Sequence, residues 1–354
     1  MQILEERSKY DFFIEKNVKK ILKHINIGTG IPILPKFREY LKRTFEIYEV
    51  QAIILKKNID KDLFEKDTDD VEGIIIIFNE DPDILFFGFF GIYDNNRYKI
   101  DLMVKNLINY AKDHGFNAIR GPVNIPAVIF GFGFMEEGSC KEPFVGCPIN
   151  PPLYLRIFYE NGFYEKYIED TYRMAAFKFD PRKIKRYDFS DYEVRYPGKE
   201  KIRNVMDEMI ELHSSIMPEY SNITPNTLKN VQTLFDYIFE FGEEWMVWTL
   251  YYKPTEEMVG CGHAAPNPLS TDSRGRYDTA RFLHWVIRED HRKKGLAVLM
   301  YGDTSLKAFK DTSRTKLKYG TGPFGVENEA NIGFAKNITM GKRTRRHIII
   351  EKVL

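Results

Sequence analysis

The segment FLHWVIREDHRKKGLAVLMYG, residues 282–302, contains the change of pattern that decides the fold. Five of its first six residues are apolar or aromatic, the next seven are charged or, at His291, ionisable, and Gly295 precedes an amphipathic run. A short apolar run predicts a buried strand, and a glycine followed by apolar residues at helical spacing predicts a turn and a helix. The sequence therefore predicts a strand, a charged turn and a helix in direct succession.

The start of this helix is a candidate anion site. A helix that begins directly after a strand leaves several backbone N–H groups without helical acceptors, and its dipole is positive at that end. The spacing Arg292-x-x-Gly295-x-Ala297 places small residues where an anion approaches the backbone, and Lys293 and Lys294 add positive charge. This arrangement predicts a phosphate or diphosphate site. The alternative is that the lysines are a solvated helix start and Gly295 only forms a turn.

The same order of elements occurs earlier in the chain, which indicates an internal repeat. The first copy has DILFFGFFGIY (83–93), YKIDLMVKNLINYAKDHG (98–115) and FNAIRGPVN (116–124) as predicted strand, helix and strand. The second copy has ARFLHWVIRED (280–290), GLAVLMYGDTSLKAFKD (295–311) and LKYGTGPFGVEN (317–328) in the same order. The pairs Gly121-Pro122 and Gly322-Pro323 fall at equivalent places.

Each Gly-Pro pair is followed by a predicted helix that has a glycine at its end. Gly121 and Gly162 are 41 positions apart, whereas Gly322 and Gly341 are 19 apart, so the first copy contains 22 more residues. These residues predict an inserted loop at about 121–152, rich in Gly, Pro and Phe. Such a loop either lines a ligand pocket or packs the two copies together.

The order of predicted elements indicates an α+β fold. The second copy begins with a strand, two helices and a hairpin of strands, and each copy ends with a helix and a β-rich segment, which implies mixed sheets flanked by helices. The polar segment FDPRKIKRYDFSD (179–191) is the predicted linker. We therefore predict two domains, residues 1–180 and 181–354, the first carrying the inserted loop.

Composition excludes several classes of partner. Lys and Arg number 52 against 51 Asp and Glu, so a net charge of +1 gives no reason to expect nucleic acid. Three cysteines suit a reducing compartment, and Cys140 and Cys147 lack the further ligands of a zinc site, so no metal is expected. The N-terminal residues have no signal-peptide pattern and no apolar run spans a bilayer, so we expect a cytoplasmic protein without a membrane partner.

Three stretches resemble one family. The segment VIREDHRKKGLAVLMYG (286–302) resembles the acyl-CoA-binding motif of the GNAT-type N-acyltransferase superfamily, and NIGFAKNITMGKRTRRHIIIEKVL (331–354) resembles its closing helix and last strands. In the first half, FFGFF (86–90), RGPVN (120–124) and NPPLYLRIFYENGF (150–163) resemble tandem-GNAT proteins of poorly defined activity. The resemblance implies two tandem GNAT-like domains, each with a mixed, mostly antiparallel twisted sheet flanked by helices.

The resemblance also implies where acyl-CoA binds. The diphosphate would lie on the turn before the helix, and the pantetheine arm beside the end of the preceding strand. The implied cofactor-binding residues are Val286, Ile287, Arg288, Arg292, Lys293, Lys294, Gly295, Leu296, Ala297 and Asn331. The first copy has no glycine at the phosphate position and has Asp94 there, which would repel a diphosphate. We therefore expect one acyl-CoA site, in the second copy.

The implied reaction is acyl transfer from CoA to an amine, most simply of an acetyl group and by direct attack. It needs a base, for which His284 and Glu327 are the candidates, although a core histidine and an exposed acid are the plainer interpretations. The resemblance makes the backbone N–H of Val286 the oxyanion donor. Asn337 stands four residues before Gly341, where many members have a tyrosine acid, and an amide cannot supply a proton at neutral pH.

Two other functions remain open from the sequence. The first is transfer of a longer acyl or an aminoacyl group, because tandem GNAT architectures also bind such donors. The second is a non-catalytic acyl-CoA-binding or interaction protein, which is suggested by Asn337 and by the undecided base.

Overall fold

The computed structural model describes residues 9–58, 70–175, 182, 186–216, 231–310 and 313–354. The chain forms two compact units, of which the first comprises Met1–Glu136, Gly146–Ile168 and His347–Leu354. The second comprises Glu137–Val145 and Glu169–Arg346. Residues Glu137–Val145 and His347–Leu354 thus belong to the other unit, whereas the predicted domains are the continuous stretches 1–180 and 181–354.

From residue 84 the elements of the first copy follow the predicted order, except that the predicted inserted loop, about 121–152, contains a short helix and a short strand. In chain order the elements of this copy are β1 (Tyr10–Glu15), α1 (Val18–His24), α2 (Pro35–Ile47), β2 (Gln51–Lys57), β3 (Val71–Asp81), β4 (Ile84–Ile92), α3 (Arg97–Asp113), β5 (Ala118–Gly121), α4 (Ala127–Phe130), β6 (Phe134–Gly138), α5 (Pro152–Glu160) and β7 (Tyr164–Ala175). Gly115 and Gly162, just beyond α3 and α5, have φ of 77° and 81°. This left-handed conformation ends a helix at little cost when the residue is glycine.

The elements of the second copy repeat that order. They are β8 (Tyr192–Arg195), α6 (Gly198–Ile216), α7 (Val231–Phe241), β9 (Val247–Tyr252), β10 (Glu257–Pro266), β11 (Tyr277–Ile287), α8 (Leu296–Lys310), β12 (Thr315–Gly325), α9 (Glu329–Asn337) and β13 (Lys342–Val353). The segment TPNTLKNVQTLFDYIFEFG (224–242) predicts the second of the two helices before the hairpin; α7 is its described part, and residues 224–230 lie outside the described residues. Of the predicted linker, residues 182 and 186–191 are described.

The first unit contains a mixed sheet in the order β1-β2-β3-β4-β5 and then the end of β13. The strands β1 to β4 are antiparallel, β4 and β5 are parallel, and Ile350 of β13 pairs with Gly121 in the antiparallel sense. A parallel pair requires a crossover connection, which α3 provides.

Apolar residues cover both faces of this sheet, which explains the nearly continuous hydrophobic runs of β2, β3 and β4. On one face, Phe87 packs in a cluster with residues of α3 and α5, including Phe158 with its ring centroid 5.2 Å away. On the other face, the ring of Phe89 lies 5.7 Å from Phe45 of α2 and 5.3 Å from Phe130 of α4.

The second unit has the strand order β7-β12-β11-β10-β9-β8, with β11 and β12 parallel and joined by α8. Helices α6 and α7 contact one face, where the Cys261 thiol lies 3.9 Å from the Met209 carbonyl. On the other face, Trp285 lies 5.5 Å from Trp248 of β9 and 5.5 Å from Phe334 of α9. Among the described residues, no helix is long and apolar enough to cross a membrane.

Both copies have the same β-bulge. In each, three steps along one strand oppose two steps along its partner, which is the mark of one extra residue. The register pairs are Ile74 with Gly91 and Ile76 with Gly88 in the first copy, and Cys261 with Val286 and His263 with Leu283 in the second. The bulge falls at Phe89–Phe90 and at residues 284–285, so β4 and β11 align residue by residue, Gly91 with Val286 and Ile92 with Ile287.

His263 gives the second unit a dependence of stability on pH. Burial, reinforced by the nearby His213, lowers the pKa of His263 to about 3 in the folded chain, against about 6.5 for an unperturbed histidine. Between about pH 6.5 and pH 3, His263 is therefore protonated in the unfolded state but neutral in the folded state. Its contribution to the free energy of unfolding is complete above about pH 6.5 and decreases as the pH falls towards 3. We expect His263 to contribute a loss of up to about 1.4 kcal/mol per pH unit in the free energy of unfolding.

Urea unfolding at pH 7.5, 6.5 and 5.5 measures this loss. The variant His263→Gln should lose less stability than the unaltered chain over the same interval. Equal losses in the two proteins would show that the acid sensitivity arises elsewhere.

Candidate active site

A gap opens between the two parallel strands of the second unit. The pairing of β11 with β12 ends at Arg281 and Thr321, although β11 continues to Ile287 and β12 to Gly325. Beyond that point β11 pairs, within the described part of the chain, only with β10. The edge of β11 that faces the gap is therefore available to a ligand.

The register shows which backbone groups face this gap. The N–H of Arg288 donates to the Val259 carbonyl at 2.8 Å, and alternation along an antiparallel strand turns the backbone of Val286 towards β10 as well. The backbone of Ile287 then points the other way, and its carbonyl accepts from Arg292 Nε at 3.0 Å. The geometry thus favours Ile287, and not Val286, as the donor to the gap.

The first copy supports the same orientation. Its Tyr93 N–H donates to the Glu72 carbonyl at 2.8 Å, as Arg288 does in the second copy. The N–H of Ile92, equivalent to Ile287, donates to the Tyr154 hydroxyl of α5 at 3.0 Å. That backbone position faces the closing helix and not the neighbouring strand of the hairpin.

The turn between β11 and α8 exposes unpaired N–H groups. Lys293 and Gly295 have φ of 63° and 77°, and the first N–H with a helical acceptor is that of Val298, which donates to Gly295. No described group accepts from the N–H groups of residues 294–297. The turn has eight residues, 288–295, against four in the first copy, 93–96, so the extra length carries the predicted anion-binding residues.

The cations of the turn have different surroundings. Arg292, Lys293 and Lys294 are all exposed. Arg292 is held against Ile287, and Lys294 Nζ donates to the Tyr192 hydroxyl at 3.3 Å. The side chain of Lys293 makes no polar contact within the described part of the chain.

His291 stabilises this turn through the contacts of its two ring nitrogens. Burial lowers its pKa, and although Asp290 acts in the opposite sense, Lys294 and Arg288 lower it further. A guanidinium can only donate, so the 3.3 Å contact from Arg288 makes Nε2 of the neutral ring an acceptor. Nδ1 then donates to the Tyr192 hydroxyl at 2.9 Å.

Tyr187 of the linker was not identified as a site residue from the sequence. A Cβ atom placed on Gly295 would lie 2.6 Å from Cγ and Cδ1 of the Tyr187 ring, so the ring packs directly on this glycine. The ring also stacks on Phe189, with centroids 5.7 Å apart, and is 44% exposed. A linker aromatic has no sequence signal that would connect it with a turn more than 100 residues away.

The predicted catalytic residues and Asn331, a predicted cofactor-binding residue, lie on β11, on α9 and in the turn between β12 and α9. His284 is at the bulge of β11, and Asn331 is the third residue of α9, but their side chains are outside the described part. Glu327 is exposed, in the turn that joins β12 to α9, and Asn337 is the exposed last residue of α9. The residue with left-handed backbone after α9 is Met340, φ 51°, while the Gly341 N–H donates to the Ala335 carbonyl.

The three cysteines differ in exposure. All three are free, Cys147 and Cys261 are buried, and Cys140 is exposed. Burial, with a contribution from Glu208, raises the pKa of Cys261 to about 12. This thiol is therefore protonated at neutral pH and is a poor nucleophile.

The corresponding gap of the first copy is closed by its own residues. The Val123 N–H donates to the Phe87 carbonyl at 2.7 Å, and Asn124 Oδ1 accepts from the Phe89 N–H at 2.6 Å. Together with Tyr154 on Ile92, these contacts satisfy the edge of β4 internally.

The helix start of the first copy is also satisfied. Asn96 Oδ1 accepts from the N–H groups of Tyr98 and Lys99, at 2.9 and 3.3 Å. Asp94 forms an ion pair with Lys99 at 2.8 Å. A cavity of about 420 Å³ remains beside Ile92, but no side chain that lines it carries a charge.

The residues that close the first gap have no counterparts in the second copy. The last paired residues, Phe86 with Arg120 and Arg281 with Thr321, align the sequences GPVN (121–124) and GPFG (322–325). Asn124 therefore corresponds to Gly325, which has no side chain. Tyr154 is the third residue of α5, and Asn331 is the third residue of α9. The second copy therefore has a shorter side chain at the position that Tyr154 occupies in the first.

The chain has the tandem GNAT fold. The sequence matches no family model and no curated protein. Its structure is similar to a tandem GNAT protein from the clavulanic acid biosynthesis pathway, 9% identical, with 98% of each chain covered and a TM-score of 0.57. It is also similar to a GCN5-related N-acetyltransferase from Sphaerobacter thermophilus, 8% identical, covering 97% of this chain and 95% of that one with a TM-score of 0.54.

A third similar structure, a probable N-acyltransferase from Enterococcus faecalis, is 8% identical and covers 97% of this chain and 73% of that one, with a TM-score of 0.54. At these identities the similarity concerns the fold. The resemblance to tandem GNAT proteins and the predicted α+β class, a mixed sheet flanked by helices, are confirmed.

The contact between Tyr187 and Gly295 predicts a specific loss of stability. Gly295→Ala and Gly275→Ala both place a Cβ on a left-handed residue, φ 77° and 75°, but a Cβ on Gly275 meets nothing within 4 Å. Both should lose about 1 kcal/mol for the backbone, and Gly295→Ala about 1–3 kcal/mol more because it overpacks against the ring.

Urea unfolding of the two single variants gives this excess. It should disappear when Gly295→Ala is combined with Tyr187→Ala. An excess that persists without the ring would mean that another group limits the space at Gly295.

Proposed function

We propose that the chain is an acyl-CoA-dependent N-acyltransferase that transfers an acyl group, most simply acetyl, to an amine in its second copy. One observation carries this proposal: the open edge of β11 leads directly into the unpaired N–H groups at the start of α8. A thioester on a pantetheine arm with a diphosphate at the other end fits such a continuous polar path.

The described residues suit acyl-CoA at each point along this path. The N–H groups of residues 294–297, with Lys293 and Arg292 beside them, suit the diphosphate. Ile287 offers its N–H at the edge of the gap, and Asn331 stands where the first copy has the tyrosine that closes it. Arg288 contributes less to binding of the diphosphate, because Asp290 and Glu257 already neutralise its charge, at 2.8 and 3.5 Å.

The reaction joins the amine nitrogen to the acyl carbon and releases CoA as its thiol. An ammonium group must lose a proton before it attacks, so a base is needed, and His284 and Glu327 stay the candidates on opposite sides of the gap. Negative charge that develops on the acyl oxygen requires a donor, for which we propose the Ile287 N–H in place of Val286. Because Cys261 stays protonated, direct attack fits better than an acyl-enzyme route.

The closed end of the gap, where β11 and β12 stop pairing, favours a short acyl group. The ring of Phe282, the first residue of β11 beyond the paired part, lies against Gly320 of β12. It also stacks near Trp285, with centroids 6.1 Å apart. A ring that crosses from one strand to the other narrows the gap where the strands separate, so a longer acyl chain would have to displace it.

The second candidate function is binding of acyl-CoA without catalysis. Asn337 favours it, because this residue is exposed at the end of α9 and cannot protonate a thiolate. Release of thiol from acetyl-CoA, octanoyl-CoA and an aminoacyl thioester, measured with a panel of primary amines, separates the functions. Turnover with acetyl-CoA supports the proposal, turnover with octanoyl-CoA alone supports the longer-chain alternative, and binding without thiol release supports the binder.

The number of CoA sites tests the roles of the two copies. Calorimetry should give one CoA per chain, because only the second copy has an open strand edge and an unpaired helix start. Gly325→Asn should reduce the affinity at least tenfold, since an amide at this position would occupy the edge of β11 as Asn124 occupies that of β4.

The matched control is Gly275→Asn, the same substitution on a turn at the other end of β11. It should leave CoA binding unchanged, since asparagine tolerates left-handed backbone. A stoichiometry of two, or normal affinity in Gly325→Asn, would contradict the assignment of a single site.

The identity of the catalytic base determines how kcat/KM depends on pH. If His284 is the base, kcat/KM should rise with pH through an apparent pKa near about 6.5, because only the neutral imidazole accepts a proton. His284→Ala should then reduce kcat/KM about 10²- to 10⁴-fold near neutral pH and recover partly at high pH, where the free amine is abundant. Glu327→Gln should show the same behaviour if the carboxylate is the base.

The control for Glu327→Gln is Glu200→Gln, which removes an exposed acid on α6. Rates close to those of the unaltered chain in both His284→Ala and Glu327→Gln, across the pH range, would exclude both residues as the base.

A further inference from the structure

The segment that precedes the second copy has a defined position at the cofactor turn. Residues 186–190 form a compact turn in which the Ser190 N–H donates to Asp188 Oδ1 at 2.9 Å and the Tyr192 N–H donates to the Phe189 carbonyl at 2.9 Å. Tyr192, at the start of β8, in turn contacts His291 and Lys294. The linker and the turn before α8 are therefore joined by side-chain contacts within one unit.

Tyr187 is held so that its ring covers Gly295 and still presents 44% of its surface to solvent. The stacked ring of Phe189 supports it from the side. Tyr187 is exposed and Phe189 is partly buried, so the pair offers one aromatic face that can pack against another flat surface. Lys293, which has no polar partner among the described residues, and the unpaired N–H groups belong to the same turn as Gly295.

The combination of a π face, free positive charge and a diphosphate-binding turn suits a nucleotide. In CoA the adenosine is attached directly to the diphosphate, so a diphosphate on residues 294–297 brings the purine within reach of a ring that already contacts Gly295. Aromatic side chains stack on any base, because every base has a π face. The 3′-phosphate of the same nucleotide then requires a cation, which Lys293 provides.

We infer that Tyr187, supported by Phe189, stacks on the adenine of CoA, so that the linker forms part of the cofactor site. This inference rests on the proposed function. It assigns to the linker a selection for the nucleotide end of the cofactor, which neither the strand edge nor the gap can provide.

Calorimetry with two probes tests the inference, using CoA and 4′-phosphopantetheine, which lacks the adenosine. Tyr187→Ala should weaken CoA binding about 5- to 150-fold, the range expected for loss of one stacked base. Its affinity for 4′-phosphopantetheine should not change. Tyr187→Trp should retain the CoA affinity, because the indole preserves the stacking surface.

The matched control is Tyr93→Ala, which removes another exposed tyrosine, 77% exposed, beside the closed gap of the first copy. Its affinities for both probes should equal those of the unaltered chain. Dephospho-CoA should bind the unaltered chain more weakly than CoA, and Lys293→Gln should remove most of that difference.

Two results would overturn the inference while leaving the proposed function in place. Unchanged CoA affinity in Tyr187→Ala would show that the ring does not contact the base. Tighter binding of both probes by this variant would show instead that Tyr187 is a cover which must leave the turn. If the unaltered chain bound neither probe, the proposed acyl-CoA site itself would be wrong, and the role of Tyr187 with it.

Discussion

The unpaired edge of β11 is the constraint on which the arrangement of the second copy depends. Buried backbone N–H and C=O groups must find partners, and a strand that loses its neighbour part-way along its length must obtain them elsewhere. In the first copy the protein supplies them from Asn124 and Tyr154. In the second copy the corresponding residues are a glycine and a shorter amide, and no described side chain accepts from the N–H groups of this edge, which is why we propose a ligand there.

The two copies therefore share the framework of the gap and differ in the residues at its edge. The bulge, the parallel pair and the crossover helix are kept in both, which preserves the geometry of the gap. The four additional residues of the turn before α8 carry the left-handed Lys293 and Gly295, whereas the short turn of the first copy places Asn96 as a cap on α3. Asn96 already accepts from two N–H groups at the start of α3, so under the proposed function the shorter turn and this cap are the reasons that the first copy would not hold a diphosphate.

Much of the fold followed from the sequence because its signals are local. The apolar runs of β4 and β11, the amphipathic run of α8 and the glycines after α3 and α5 are set by residues close in sequence, and the structure agrees with them. The exchange of strand ends between the units was not predictable in this way, because it depends on pairing between Ile350 and Gly121. The packing of Tyr187 on Gly295 and the orientation of Ile287 likewise arise from tertiary contacts and from a bulge, which no periodicity reveals.

Each copy also has a buried Arg–Glu ion pair at the residue where its two parallel strands stop pairing. In the second unit Arg281 Nη2 lies 2.8 Å from Glu169 Oε1, and both side chains are almost fully buried. In the first unit Arg120 Nε donates to Glu351 at 2.6 Å, and although burial raises the pKa of Glu351, hydrogen bonds from Tyr164 and Arg120 outweigh it and lower the pKa. The arginine comes from the first strand of the parallel pair in one copy and from the second strand in the other.

A buried ion pair adds little net stability, but breaking one by moving a partner costs about 3–5 kcal/mol, because a charge is left unpaired. Sliding β11 or β5 by one residue would break these pairs and turn the arginines to the opposite face of the sheet. The pairs therefore fix the residue at which the parallel strands stop pairing. The gap begins at Arg281 because the charge at that position has its partner on β7. The position of this ion pair therefore sets where the open edge of β11 starts, and that edge runs from Phe282 to Ile287.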